Sequence, residues 1–307
     1  MILSAGLSPA WQQILVFDRF RVGEVNRARE AVWCSSGKVV NAGIAAHHLG
    51  GPSLTLATAG GPPRESMDRE LRKLGVPLRW IATQSATRVC TTIVDRSGGT
   101  LTELVENGRP ISVEEIKSFR AAFAEEAARA DVVVLIGSLP AGVPTSLYRE
   151  VLEKASCPAV LDFRGQGLLS VLDLRPYVVK PNREELAQTV GHDLPDDSSL
   201  REAMREINRR GAQWVIVTDG PRPVWLSSST RAYRLHPPAI EDVVNPIGSG
   251  DALAAGVAWA TRRGRPIVEA VQLGVAASGE NLRQLLPCRL DPARVEQSAG
   301  KVAVEPL

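Results

Sequence analysis

Cysteine is scarce in this chain of 307 residues, and what there is of it is scattered. The four cysteines, Cys34, Cys90, Cys157 and Cys288, form no C-x-x-C pair. That spacing builds neither a zinc ribbon nor a disulfide framework, and a reduced, cytoplasmic setting is the expectation. Charge of one sign is also missing. Lys plus Arg number 36 against 34 Asp plus Glu, a net of +2, so nothing argues for nucleic acid or a membrane surface as a partner. Apolar runs such as Val132–Ile136 and Ala252–Ala255 are far too short to span a bilayer. Met1-Ile-Leu-Ser-Ala-Gly6 lacks the basic start of a secretory signal. His47 and His48 are neighbours on a predicted helix and cannot face one metal together, while His192 and His236 stand alone. No structural metal is expected. No G-x-x-x-x-G-K-[ST] occurs, which excludes a P-loop nucleotide hydrolase, and no G-x-G-x-x-G follows the first strand, which argues against a dinucleotide-binding fold. Internal repeats and low-complexity linkers are absent.

What remains is the composition of an ordinary globular enzyme, 44% hydrophobic and 23% charged. Strand-like runs alternate with helical patterns. Leu54–Ala59 precedes a helix near Pro63–Leu74 that Gly75 closes. Ser112 with Glu115 reads as a capping box opening a helix to about Ala130. Asp131–Ile136, Ala159–Asp162, Tyr177–Lys180 and Gln213–Thr218 read as strands. Thr145–Lys154, Asn182–Val190, Ser199–Arg210, Asp251–Arg262, Ile267–Leu285 and Pro292–Ala299 read as helices. This alternation predicts a mainly parallel sheet covered on both faces. Two stretches break the rhythm. Gln13–Trp33 and Thr87–Asn107 carry period-2 patterns with turns at Arg21-Val-Gly-Glu24 and Arg96-Ser-Gly-Gly99, and no helix between. They predict a small separate β sheet.

The stretch richest in chemistry is Asp242-Val-Val-Asn-Pro-Ile-Gly-Ser-Gly-Asp251, which runs into the alanine-rich segment ending at Gly256. Glycines let backbone N–H groups converge with no Cβ in the way. The helix that follows adds its positive N-terminal end, so Gly248, Ser249 and Gly250 can hold a phosphate. An acid beside an anion site costs energy. Asp251 makes sense there if it takes a proton from a hydroxyl that attacks phosphorus. A glycine loop with Asp at a helix N-terminus is the plainer reading of the motif taken alone.

This segment resembles the C-terminal signature of the PfkB (ribokinase-like) carbohydrate kinases, D-T-x-G-A-G-D, with Asn245-Pro246-Ile247 replacing the usual lead-in. Ser36-Gly37-Lys38-Val39-Val40-Asn41-Ala42 resembles the family's G-G-K-G-x-N-x-A, which meets the sugar. Lys180-Pro181-Asn182-Arg183-Glu184-Glu185 matches K-P-N-x-x-E, and Val215-Ile-Val-Thr218-Asp219-Gly220 resembles the strand-end T-x-G that borders the nucleotide. The motifs run through nearly the whole chain in the family's order. The resemblance implies one three-layer α/β/α domain over residues 1–307, with a β lid from about 11–34 and 87–108 that can pair subunits as a homodimer. ATP and Mg²⁺ are the implied cofactors. Lys180, Asn182, Thr218 and Gly220 would serve the nucleotide, and Glu185 the metal through water, since Mg²⁺ keeps several waters. The structural alternative makes Asn182 the cap of a surface helix. Asp162, at a strand end, is assigned no firm role.

Within the family, several stretches look closest to kinases of sugars that already carry a phosphate, the 1-phosphofructokinases and tagatose-6-phosphate kinases. These are Val22–Arg27, Thr87–Val94, Val105–Pro110 and Gly137-Ser138-Leu139-Pro140. A resident phosphate needs cations. Arg88 offers a planar fork of donors and Lys38 a point charge, so these two are expected to share it, with Asn41 and Ser138 lining the sugar. One departure stands out. The family's N-P-x-x-D acid is replaced, and Gln12 stands in its place within Ser8-Pro9-Ala10-Trp11-Gln12. The substrate expected is a ketohexose phosphate. A kinase of an unphosphorylated sugar or nucleoside, or a non-catalytic sensor of sugar phosphate or nucleotide, stays open.

Overall fold

The computed structural model describes residues 1–307. The N-terminal half holds strands β1 (Ile2–Gly6), β2 (Ala10–Phe17) and β3 (Glu30–Ser36), then helix α1 (Lys38–His48) and strand β4 (Ser53–Ala59). Helix α2 (Gly61–Lys73) leads to strands β5 (Leu78–Ala82), β6 (Arg88–Asp95) and β7 (Thr100–Val105). Next come α3 (Val113–Ala127), β8 (Val132–Ile136), α4 (Ser146–Leu152), β9 (Ala159–Asp162), α5 (Gly165–Leu169), β10 (Val178–Val179) and α6 (Arg183–Val190). The C-terminal part holds α7 (Asp197–Arg209), β11 (Trp214–Val217), β12 (Val224–Ser227), β13 (Ala232–His236), α8 (Ser249–Arg262), α9 (Ile267–Leu282), α10 (Pro292–Ala299) and β14 (Ala303–Pro306).

A ten-stranded sheet has the order β14-β13-β12-β11-β10-β9-β8-β1-β4-β5. Its strands from β11 to β5 are parallel, and β11 to β14 are antiparallel. The period-2 side-chain alternation of strands divides the core in two. Val132, Val134 and Ile136 of β8 face a layer made from α1, α2, α8, α9 and α10. Val133 and Leu135 face the layer of α3 to α7. The three-layer α/β/α sandwich with a mainly parallel sheet therefore stands. A second, four-stranded sheet, β3-β2-β6-β7, forms the lid expected from the two irregular stretches. Its pairing joins segments far apart in sequence: Ala10 is opposite Arg88, and Gln12 opposite Cys90.

The capping box at α3 is present, with Ser112 Oγ accepting from Glu115 N and Glu115 Oε2 accepting from Ser112 N. Other boundaries move. The helix expected to reach Leu285 stops at Leu282, because the chain beyond turns back under α8. The antiparallel strands β12 to β14 and the edge strand β5 were not foreseen. Each is only four or five residues long, and their order in the sheet comes from pairing rather than from pattern.

Helices α8 and α9 pack closely because glycines face each other. A Cβ on Gly256 would lie 2.8 Å from Gly274 Cα, backbone that cannot step aside. Overpacking of this kind costs about 1–3 kcal/mol. Gly256→Val is therefore expected to lower stability by at least that amount in urea unfolding; an unchanged midpoint would show that the helices can separate freely.

Candidate active site

The sequence motifs converge at the carboxyl ends of the parallel strands, where the loops of such sheets meet ligands. Gly248 caps α8 with φ of +84°, a left-handed conformation that glycine adopts without strain. The first turn of a helix has N–H groups with no intrahelical acceptor. Here the Ser249 N–H is taken by Pro246 O at 3.2 Å, whereas those of Gly248, Gly250 and Asp251 donate to nothing in the protein. The free donors are thus Gly248, Gly250 and Asp251, not the Gly248–Gly250 run expected from the motif. Ser249 contributes its hydroxyl elsewhere, accepting from Asn281 Nδ2 at 3.0 Å.

Asp251, in that first turn, is buried and accepts from Asn41 Nδ2 at 2.8 Å through Oδ2. Asn41 is thus a partner of the acid, on a helix that starts at Lys38. Burial, reinforced by nearby Asp162, pushes the Asp251 carboxyl up to about 6 despite the opposing pull of Lys38, the Asn41 hydrogen bond and Lys180. A base poised there is ionised at neutral pH yet holds a proton well enough to act.

Behind it lies a buried charge cluster. Asp162 is 1% exposed and contacts Lys38 Nζ at 2.9 Å and Lys180 Nζ at 2.8 Å. Burial alone would raise the Asp162 carboxyl; the two lysines outweigh it and hold it below the usual carboxylate range. Lys38 also reaches Glu185 Oε1 at 3.1 Å. Burial works to lower the Lys38 ammonium, but Asp162, Glu185 and Asp251 overcome this and hold it above the usual lysine range. Lys180 is 3% exposed and its Nζ lies 3.4 Å from where a Cβ on Gly250 would stand, so it backs the glycine turn. Asn182 is the N-cap of α6: its Oδ1 accepts from Glu185 N at 2.7 Å and Glu185 Oε2 accepts from Asn182 N at 3.0 Å. Asn182 itself is exposed and caps the helix as the structural alternative has it, while Glu185 points inward and is buried against Lys38.

Lys38 and Arg88, expected to share one phosphate, have different partners. Arg88 Nε, Nη1 and Nη2 donate to the backbone oxygens of Pro9, Glu106 and Ser8 at 3.3, 3.1 and 3.4 Å. No carboxylate forms a direct ion pair with it, although Glu103 lies near enough for the guanidinium to work against the upward push of burial on its carboxyl. Ser138 is exposed beside it, its carbonyl accepting from Ser8 Oγ at 2.6 Å. Gln12 is buried in the lid, and its amide nitrogen is committed to Thr92 Oγ1 at 2.6 Å. Thr218 pairs with Asn182 in an isolated bridge. Thr218 and Gly220 line a cavity of about 750 Å³ with Ser249, Gly250, Leu253 and Gly279, a volume that suits a small-molecule ligand.

A match to the family model for pfkB family carbohydrate kinases extends over residues 12–292. The chain belongs to this family. It is a carbohydrate kinase, with a sugar phosphotransferase's machinery. Similar folds occur in a possible 1-phosphofructokinase from Thermotoga maritima (22% identity, 100% of this chain and 99% of that one, TM-score 0.90). Phosphofructokinase-2 from Escherichia coli in complex with fructose-6-phosphate is also similar (22%, 98% of each chain, TM-score 0.86). So is Arabidopsis thaliana ribokinase complexed with ribose and ATP (19%, 97% and 98%, TM-score 0.77). No helix is long and apolar enough to cross a membrane.

Two site residues escaped the sequence reading. Asp162 is legible in the sequence only as a strand end on the side of the substrate-facing loops, and Asn281 carries no local signal; neither lies in a glycine-marked motif. A pH consequence follows from Asp251. Its folded pKa, about 6, lies above the unfolded value, so the folded state is penalised where the group is ionised and regains stability as pH falls through about 6 to 4. Asp251→Asn removes that penalty, on the order of 3 kcal/mol at most. The variant is expected to melt higher than wild type at pH 8 and to lose this advantage at pH 4. A lower melting temperature at pH 8 would contradict the burial of a charged acid.

Proposed function

We propose that this kinase transfers the γ-phosphate of ATP to a hydroxyl of a small sugar that already carries a phosphate, of the ketohexose phosphate class. The observation that carries the reading is the pairing of an elevated, buried Asp251 with free N–H groups in the same helix turn. Asp251 takes the proton from the attacking hydroxyl. The N–H groups of Gly248, Gly250 and Asp251, with Lys180 behind them, meet the charge on the phosphoryl group in flight. Phosphoryl transfer asks for positioning and electrostatics more than covalent chemistry. The cavity bordered by Thr218 and Gly220 takes the nucleotide.

Glu185, whose Oε1 faces Lys38 at the edge of the cluster, would hold a magnesium ion through water, and the ion would neutralise phosphate charge when bound. Asp162 is already satisfied by Lys38 and Lys180 at 2.9 and 2.8 Å. Lys38 lies at this end, where it bridges carboxylates and meets the transferred phosphate. The resident phosphate of the acceptor falls to Arg88, whose guanidinium has no carboxylate to satisfy it. The fructose-6-phosphate bound by the Escherichia coli protein of the same fold supports this class. Gln12, its nitrogen held by Thr92, retunes the hydroxyl pattern accepted rather than disabling the enzyme. Exposed Trp33, Leu104 and Val105 on the lid support pairing of two copies there.

Asp251→Asn is expected to cut turnover by about 10²–10⁴-fold. A folded variant with near-native turnover would remove Asp251 as base. Hydrogen bonds to charged groups contribute about 1.5–3 kcal/mol, so Arg88→Ala is expected to raise the phosphosugar dissociation constant by about 10–150-fold. ATP affinity should hardly move. Screening sugars and sugar phosphates for ATP consumption with Mg²⁺ decides the substrate class: a wild type that prefers free fructose or ribose to every phosphosugar would overturn the reading.

A further inference from the structure

The turn that carries the free N–H groups is held from behind by buried side chains, and one of them, Asn281, bonds it on both sides of Gly248. Asn281 lies one residue before the end of α9 and is fully buried. Its Nδ2 donates to Ile247 O at 2.9 Å and to Ser249 Oγ at 3.0 Å. Its Oδ1 accepts from Cys288 N at 2.7 Å. An amide has two donors and an acceptor oxygen with two lone pairs, so both donors are spent on the residues that flank Gly248. Gly248 itself has no room on that side. A Cβ there would lie 3.1 Å from Pro287 Cβ, 3.2 Å from Cys288 Sγ and 3.4 Å from Asn281 Oδ1. The turn is thus clamped on one face by a fixed wall, and its N–H groups are left to point the other way.

The wall does not depend on Asn281 alone. Val244 N donates to Leu282 O at 2.8 Å, and Asn245 Nδ2 donates to Leu285 O at 2.8 Å. These bonds tie the approach to the turn onto the end of α9. Within the turn, Asn245 Oδ1 accepts from Ile247 N at 3.0 Å, and Cys288 Sγ donates weakly to Gly248 O at 3.4 Å. Asn281 is the side chain that bonds both sides of Gly248, the carbonyl before it and the hydroxyl after it. A peptide unit can rotate about its neighbours if its carbonyl is released, and a rotated unit aims its N–H elsewhere.

We propose that Asn281 is the positioning residue that aims the Gly248–Asp251 N–H groups at the terminal phosphate of the nucleotide. The proposal rests on the kinase reading above. It acts through the turn and touches neither substrate. In Asn281→Asp the shape and the acceptor for Cys288 N are kept, while both donors to the turn are lost and a carboxylate is placed behind an anion site.

The test compares two ligands in wild type and Asn281→Asp: AMP, which lacks the terminal phosphates, and the β,γ-imido analogue of ATP with Mg²⁺. Affinities are read by calorimetry on the full chain. The variant is expected to bind the imido analogue at least about 10-fold more weakly while its AMP affinity stays within about twofold, and kcat with any active acceptor is expected to fall more than the sugar KM rises. Asn281→Ser, which removes the amide without adding a charge and is too short to span Ile247 O and Ser249 Oγ together, is measured alongside and must show the same selective loss, because a new carboxylate could repel the terminal phosphates by itself. Equal losses for AMP and the analogue would mean a merely structural role and overturn the proposal. So would affinities and kcat within about twofold of wild type. A wild type that binds both nucleotides but phosphorylates no sugar defeats the kinase reading, and the nucleotide comparison still decides Asn281. A wild type that binds neither nucleotide overturns both.

Discussion

Asp162 is a carboxylate with almost no access to water, and much of the site is arranged around the need to match its charge. An ionised carboxylate in a dry interior is costly unless it is paired. Lys38 and Lys180 supply the pairing, one from the helix that opens the sugar motif and one from the strand end that opens the nucleotide motif. The ion pairs thereby bring two chain segments, about half the sequence apart, to the same point. Glu185 joins through Lys38, and Asp251 feels the net field of the whole group. Removing any one partner would leave the others unbalanced in low dielectric.

That balance sets the proton affinity of Asp251, the base proposed above. Asp251 sits in the first turn of α8, where a negative charge is favoured by the helix dipole, and it is hydrogen-bonded by Asn41. Those influences alone would keep it strongly acidic. Burial and Asp162 work in the other direction, and they win. The resulting proton affinity suits a group that must be ionised before transfer and protonated during it. The glycine turn beside it, with three unsatisfied N–H groups, offers the complementary positive potential. Lys180, which fills the space behind Gly250, adds to that potential without occupying the ligand's place.

The lid follows a different constraint. Its strands come from two separated insertions and pair in parallel across that gap, β2 against β6. Ala10, at the start of β2, follows the loop of Ser8 and Pro9, whose carbonyls accept from Arg88 at the start of β6. The arginine therefore ties the lid to the loop that leaves the central strand. Backbone carbonyls satisfy its hydrogen-bond geometry and leave it without a direct ion pair, the opening that the phosphosugar proposed above would fill.

Composition and local pattern determined the fold class, the two-faced parallel sheet, the existence of a separate β lid and the capping box at Ser112, because these depend on short-range periodicity and turn chemistry. The glycine turn before a helix marked Asp251, whereas Lys38, Asn182 and Glu185 stood out only through the resemblance of their motifs to those of the PfkB kinases. Tertiary structure alone decided the partners. That Lys38 meets Asp162 and Glu185 depends on which strand ends lie side by side, and the order β10-β9-β8-β1 is set by long-range pairing. The short strands β12 to β14 carry too few residues for a period to show. Asn281 is a polar residue in an otherwise apolar helical pattern, and nothing local says that its amide is spent on a turn more than thirty residues away. Charge balance and buried hydrogen bonds are properties of neighbours in space, and a linear sequence does not name them.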